Sequence, residues 1–98
     1  MIMIKHIVLF NLKPSALSQF DGLAKITKER LSKILGVQNL CVGASIYPNA
    51  RYKYSIVMDF ANENSLKEYR AHPIHVEYRE EHFKPAIEEY ISLDYESL

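Results

Sequence analysis

The chain has 98 residues, which is enough for one domain and too few for two. Twelve basic residues balance twelve acidic ones, so no overall field attracts nucleic acid or an anionic membrane surface. The apolar fraction of 48% is high for so short a chain. We therefore expect part of the apolar surface to be buried against a second subunit.

The cysteine content and the apolar N-terminus bear on location. Cys41 is the only cysteine, which excludes an intrachain disulfide and favours a reducing compartment. It lies in an apolar segment without basic neighbours, so we expect an inert core thiol. The apolar start is interrupted by Lys5 and His6, and no stretch approaches the roughly 20 apolar residues that span a bilayer. The sequence predicts a cytoplasmic protein that does not enter a membrane.

The first third of the chain predicts a strand followed by a helix. Residues 3–13 are apolar on both alternating faces and rich in β-branched side chains, which is typical of a central strand covered on both sides. Apolar residues at helical spacing then predict an amphipathic helix over residues 16–35. Ser15 is a candidate N-cap for this helix, and Gly36 is placed to end it in a left-handed conformation.

The middle of the chain predicts a β-hairpin. Residues 37–47 and 52–60 have strand composition, and the turn-forming segment 48–50 lies between them. Gly43 falls inside the first of these strands, where we expect a bulge.

The last third predicts a second helix and a final strand. Asn62 is a candidate N-cap, and the helix that follows is interrupted by Pro73. A short helical turn is expected over residues 74–79. Pro85 then closes the region, and residues 87–95 form the last strand.

The resulting order, β-α-β-β-α-β, is the split ferredoxin-like arrangement of the α+β class. It predicts one domain over residues 1–98, with a four-stranded antiparallel sheet and both helices on one face. The other face is too apolar to meet water. Packing of two such faces would give a homodimeric α/β barrel.

Three segments of the chain resemble the stress-responsive dimeric A/B barrel (Dabb) family. They are MIKHIVLF at residues 3–10, YRAHPIH at residues 69–75 and LDY at residues 93–95. The resemblance extends over essentially the whole chain, and it implies a homodimer whose two sheets close into a barrel. Members of the family include stress-induced proteins without known activity, proteins that form larger rings, and polyketide cyclases.

The cyclase branch implies a pocket between the sheet and the helices of each subunit. By resemblance, its acid–base pair corresponds to His75 and Tyr69, and His6 lines the pocket. The chain departs from that branch on the first helix, where aromatic side chains are replaced by Leu23, Ile26 and Thr27.

The pair His75 and Tyr69 has suitable chemistry for proton transfer. Histidine titrates near neutral pH and can accept a proton from a carbon acid or from water. A phenol within hydrogen-bond reach could stabilise the resulting enolate or orient the imidazole. The structural alternative is that His72 and His75 hydrogen-bond backbone groups exposed where Pro73 ends the helix.

His6 shares a strand face with Val8 and Phe10, so it is expected to be buried. It is either a core histidine whose hydrogen bonds are satisfied or part of a polar group at an apolar cavity, the usual form of a small-molecule site. With the pocket that the resemblance implies, the predicted binding set beside the pair His75 and Tyr69 is His6, Val8, Phe10, Leu23 and His72.

The sequence predicts no metal ion and no other cofactor. Several ligand types follow His72, but no spaced metal motif matches and Pro73 disturbs the helical register. No phosphate-binding glycine motif occurs. The tyrosines, apart from Tyr69, are interpreted as core or dimer packing, because no basic groove accompanies them.

Two functional hypotheses remain. In the first, the protein binds a small organic or polyketide-like molecule and carries out cyclase-like acid–base chemistry. In the second, it is a non-enzymatic stress-response protein that acts through stable self-association. The composition does not separate them.

Overall fold

The computed structural model describes residues 3–98. Its four strands form one sheet in the order β2-β3-β1-β4, and all neighbouring strands are antiparallel. The bounds are β1 Ile4–Leu12, β2 Gln38–Ala44, β3 Tyr54–Phe60 and β4 Ile87–Glu96. The predicted four-stranded antiparallel sheet and its element order are confirmed.

The helices cover one face of this sheet. They are α1 Phe20–Leu31, α2 Glu63–Ala71, α3 Pro73–Tyr78 and a short α4 Lys84–Ala86, with a 3₁₀ turn at Pro14–Gln19 and a π-helical segment at Arg79–Phe83. No helix within residues 3–98 has the length and apolar character needed to cross a membrane.

The sequence predicted one helix over residues 16–35, but this region contains a 3₁₀ turn followed by a shorter α-helix. Pro14 begins a 3₁₀ turn instead of α1, because proline suits the first position of a helix. Ser15 therefore lies inside that turn and caps nothing, which corrects the prediction. Helix α1 ends at Leu31, so the predicted end at residue 35 was wrong and Gly36 does not terminate the helix. The φ of 98° at Gly36 confirms only its predicted left-handed conformation.

The hairpin differs from prediction in the position of its irregularity. Gly43 pairs regularly with Ser55, and the register shift lies between Gln38 and Cys41. Asn39 has a φ of 52° there, a conformation that asparagine tolerates better than most residues. Cys41 is exposed because β2 is an edge strand, so the expectation of a core thiol was wrong.

Alternation along β1 and β3 separates two faces. The face under the helices holds fully buried side chains such as Phe10, Met58 and Phe60. On the opposite face, which we call the bare face, apolar side chains cluster with no helix of residues 3–98 over them. They are Ile7, Leu9, Val57, Ile91, Leu93 and Tyr95.

A break between α2 and α3 sets the geometry of the helical layer. Asn62 caps α2 by accepting a hydrogen bond from the Ser65 amide at 2.9 Å, as predicted. At the other end His72 is extended, with φ −65° and ψ 134°. Pro73 disfavours the α conformation in the residue before it, so the chain changes direction there.

Candidate functional site

A cavity of about 230 Å³ lies between the helix-covered face of the sheet and the helices. Its apolar wall is formed by Val8, Leu31, Ile56 and Phe83. Its polar and aromatic wall is formed by His6, Tyr69, Arg70, His75, Tyr78, Arg79, Lys84, Tyr90 and Ser92. An apolar enclosure with a few converging polar groups is the usual form of a small-molecule site.

The break at His72 and Pro73 brings the predicted acid–base pair together. Tyr69 lies in the last turn of α2 and His75 in the first turns of α3. Their ring centroids are 4.4 Å apart, with the planes tilted by 45°. An uninterrupted helix would direct side chains six residues apart to different faces, so the break is what makes them neighbours.

The ring nitrogens of His75 have different surroundings. Nδ1 lies 3.1 Å from the carbonyl oxygen of Arg70. A carbonyl can only accept, so Nδ1 carries the proton and Nε2 is the basic nitrogen of the neutral ring. Burial, aided by the nearby Arg79 charge, lowers the pKa of His75 below its usual 6.5, although the bond to Arg70 opposes this. The lowered pKa favours the neutral form of His75.

Tyr69 provides a hydroxyl that stays protonated. The side chain is buried, and its ring centroid lies 5.8 Å from that of His6 as well as close to His75. Burial raises the pKa of Tyr69 far above its usual value of 10, because the phenolate would be poorly solvated. At neutral pH the group is a hydrogen-bond donor and not a base.

His6 is held by a carboxylate that also binds an arginine. His6 Nδ1 lies 2.6 Å from Asp94 Oδ1, and Arg70 donates to Asp94 Oδ2 at 2.5 Å. Burial raises the pKa of Asp94, but the hydrogen bonds from His6 and Arg70 outweigh it and the net pKa is lowered. The carboxylate therefore accepts from His6 Nδ1, and His6 is a buried histidine with one ring nitrogen satisfied that also forms part of the cavity wall.

Tyr78 forms the end of a short hydrogen-bond chain at the cavity wall. Thr27 Oγ1 donates to the Leu23 carbonyl at 2.7 Å and lies 2.5 Å from the Tyr78 hydroxyl. Threonine has one hydroxyl proton, so Tyr78 donates to Thr27 and presents only acceptor lone pairs to the cavity. Burial raises the pKa of Tyr78 to about 12. This tyrosine is a fixed wall residue with no free proton.

Three residues of the predicted binding set lie outside the cavity wall. Phe10 is fully buried in the core, 5.4 Å from Phe83 between ring centroids. Leu23 lines a separate surface depression beside the 3₁₀ turn. His72 caps α3, where its Nδ1 accepts from the Ile74 amide at 3.1 Å. The predicted residues that do meet at the cavity are His6, Val8, Tyr69 and His75.

Sequence reasoning missed several wall residues. Tyr78 and Arg79 lie three and four positions after His75, a spacing that places side chains on one helical face, so the signal was present. Ser92 pairs with Val8 across the sheet, and alternation along β4 would have placed it on the same face. Within residues 3–98, no group of three or more His, Cys, Asp or Glu side chains is arranged to hold a metal ion.

Comparison with known structures shows the same fold throughout. A Dabb family protein with a ferredoxin-like fold from Mesorhizobium loti is 30% identical, with a TM-score of 0.88 over 100% of this chain and 99% of that one. A dimeric ferredoxin-like protein of unknown function from Bacteroides fragilis is 27% identical, with a TM-score of 0.77 and coverage of 97% and 96%. The hydroxynitrile lyase of Passiflora edulis is 19% identical, with a TM-score of 0.85 and coverage of 98% and 94%. At that identity the likeness shows the fold alone.

The comparison with protein-family models identifies the family. No curated protein sequence matched the chain. The family model of the stress responsive A/B barrel domain matches residues 4–97, nearly the whole chain. The chain therefore belongs to the stress responsive A/B barrel domain family.

Proposed function

We propose that this protein is a cytoplasmic homodimer, one domain per subunit, that binds a small organic molecule in the cavity and moves a proton on it. His75 acts as the base and Tyr69 as the hydrogen-bond donor. The observation that carries the proposal is the placement of the His75 ring, with Nδ1 held by the Arg70 carbonyl, 4.4 Å from the ring of the buried Tyr69 between centroids.

The bare face supports the homodimer. Its central side chains are only half-buried in one chain, and Ile91 is 37% exposed. A sheet face of this kind is normally covered, and a second copy offers a matching surface. The Bacteroides fragilis relative is dimeric with the same fold. The lone Cys41 favours a reducing compartment, which is why we place the protein in the cytoplasm.

The reaction would be proton abstraction next to a carbonyl group. His75 Nε2 takes the proton as the C–H bond breaks, and the electron pair moves into the enolate oxygen. Tyr69 donates a hydrogen bond to that oxygen without losing its proton, because its pKa is raised. The imidazolium then returns the proton to carbon or to the leaving oxygen.

The same pair would suit removal of a hydroxyl proton. Cleavage of a hydroxynitrile begins with loss of that proton and ends with release of cyanide and a carbonyl compound. The Passiflora edulis enzyme with this fold bears the name of that reaction. Hydroxynitrile cleavage is therefore a second chemistry worth testing at the same site.

The test uses two probes that fit a cavity of this volume. Deuterium incorporation into phenylacetone in D₂O is followed by NMR, and mandelonitrile cleavage by the absorbance of benzaldehyde. We expect wild-type protein to exceed the buffer rate with at least one probe. His75→Ala is expected to lose about 100- to 10,000-fold of that rate, which is the usual contribution of a general base.

His82→Ala is the matched control, since His82 lies on the neighbouring π-helical segment and outside the cavity wall. It should keep the wild-type rate. Equal rates for His75→Ala and wild type would overturn the role of His75. Rates no higher than buffer with both probes would overturn the catalytic proposal and favour the alternative, a non-enzymatic protein acting through self-association.

A further inference from the structure

The cavity wall carries a marked excess of positive charge. Arg70, Arg79 and Lys84 all line it, and none of the described residues that line it is acidic. The carboxylates that balance these cations, Asp94 and Glu80, lie outside the wall. A molecule bound in the cavity would therefore contact cationic side chains and no acidic side chain among the described lining residues.

The three cationic side chains differ in how closely they pair with carboxylates. Arg70 makes a close contact of 2.5 Å to Asp94, and Lys84 lies 3.2 Å from Glu80 one helical turn away. Arg79 has the longest contact, 3.5 Å to the same Glu80 oxygen that Lys84 uses. Since Glu80 is shared, Arg79 is the cation with the most unused hydrogen-bonding capacity.

Arg79 also has a buried donor without an acceptor. Among residues 3–98, its Nε is a buried side-chain nitrogen with no hydrogen-bond partner. A buried donor without an acceptor is costly, because it has lost its bond to water and gained none in return. The residue begins the π-helical segment, an irregularity that is frequently found at functional sites.

We propose that the ligand of this cavity is a small organic anion, specifically a carboxylate, and that Arg79 binds its charged end. The planar guanidinium suits a carboxylate, which accepts two parallel hydrogen bonds from it. The apolar wall would hold the body of the ligand, against Val8 and Ile56. This inference rests on the proposed function, because it names the class of molecule that the same cavity receives.

The test compares two probes of nearly equal shape, phenylacetate and its neutral amide, phenylacetamide, by isothermal titration calorimetry. We expect wild-type protein to bind phenylacetate about tenfold or more tightly than phenylacetamide, as a charge-assisted hydrogen bond would give. Arg79→Gln should abolish this preference. Arg79→Lys keeps the charge and should retain a reduced preference.

Arg30→Gln is the matched control, since Arg30 is half-exposed, pairs with Glu77 and lies outside the cavity wall. It should bind both probes as wild type does. Equal affinity of wild type for the two probes would overturn the anion proposal while leaving the small-molecule site intact. A preference that survives in Arg79→Gln would overturn the assignment to Arg79, and binding of neither probe would overturn this proposal together with the proposed site.

Discussion

At the scale of single side chains, the two ring nitrogens of His75 have different roles, one structural and one proposed to be catalytic. Nδ1 satisfies the Arg70 carbonyl, one of the acceptors that Pro73 leaves without a helical partner. Nε2 keeps its lone pair. His75 thus does hydrogen-bond a backbone group at the helix end, as the structural alternative predicted, but only through Nδ1. The same hydrogen bond fixes the tautomer in which Nε2 can act as a base.

The first expectation concerns the titration of this ring. Because burial lowers the pKa of His75, the midpoint of its NMR titration should lie below 6.5. Between the folded pKa and 6.5, His75 is then less protonated in the folded chain than in the unfolded chain. His75 therefore favours folding above pH 6.5, and this contribution is lost as the pH falls through the folded pKa. A midpoint at or above 6.5 would contradict the assigned environment.

Asp94 supports a second expectation. Asp94→Ala removes the acceptor of the buried His6 N–H and should lower the free energy of unfolding by about 1–3 kcal/mol at pH 7. Asp94→Asn keeps an acceptor oxygen and should cost less. Urea denaturation measures both variants.

The pH dependence of that loss follows from the lowered pKa of Asp94. Its stabilising effect is present above the unfolded pKa of about 3.8 and is lost as the pH falls through the folded value. The difference between wild type and Asp94→Ala should therefore shrink toward pH 3. A difference that stays constant over this range would show that the carboxylate charge is not what stabilises His6.

At the scale of elements, the break between α2 and α3 is the feature on which the site depends. His72 caps α3 with its Nδ1, and Pro73 occupies the first helical position. A cap of this kind contributes about 1 kcal/mol. The role of His72 is therefore structural in the described fold, at the point where Tyr69 and His75 are brought together.

The third expectation separates capping from binding. His72→Ala should lower the free energy of unfolding by about 1 kcal/mol, whereas His72→Asn supplies a side-chain oxygen and should retain most of the stability. Thermal denaturation measures both. Equal losses in the two variants would argue against a capping role, because alanine and asparagine differ mainly in that acceptor.

Much of the fold was predictable because local signals agreed with one another. Alternation in β1, the cap at Asn62 and the break at Pro73 each act over a few residues, so the sequence reveals them. The register shift near Asn39 was not predictable, since it depends on how β2 meets β3. The start of α1 was misplaced because proline competes with serine for the helix start.

The candidate site was predictable in a narrower sense. The pair of Tyr69 and His75 came from the family resemblance, and their contact needs a chain reversal that spacing alone does not specify. Asp94 joins His6 from a strand 88 residues away, a pairing set by the register of β1 and β4. The charged wall around Arg79 depends on the π-helical segment, for which the sequence carries no recognised signal.

At the scale of the whole molecule, the two faces of the sheet differ in what they contact. The helix-covered face supplies the core and the cavity. The bare face presents Leu9 and Ile91 opposite each other on paired strands. Covering this face would remove apolar area from water at about 25 cal/mol per Å², which is why we expect two copies to associate through it.

The fourth expectation tests this face directly. Ile91→Asp places a charge on the bare face and should convert a dimer into monomers at micromolar concentration, as followed by sedimentation velocity. Leu35→Asp is the control, because Leu35 is 92% exposed in the turn after α1 and is not one of the residues of the bare face. It should remain dimeric. A dimeric Ile91→Asp variant, or a monomeric wild type, would contradict the proposed interface.

Native mass spectrometry of gently purified protein would show whether the cavity holds a small molecule, as we claim. We expect a dimer that carries a discrete extra mass. Ser92→Trp, which places a large ring in the cavity wall, should give a dimer without that mass. A bare wild-type dimer, or an extra mass that persists in Ser92→Trp, would contradict the claim.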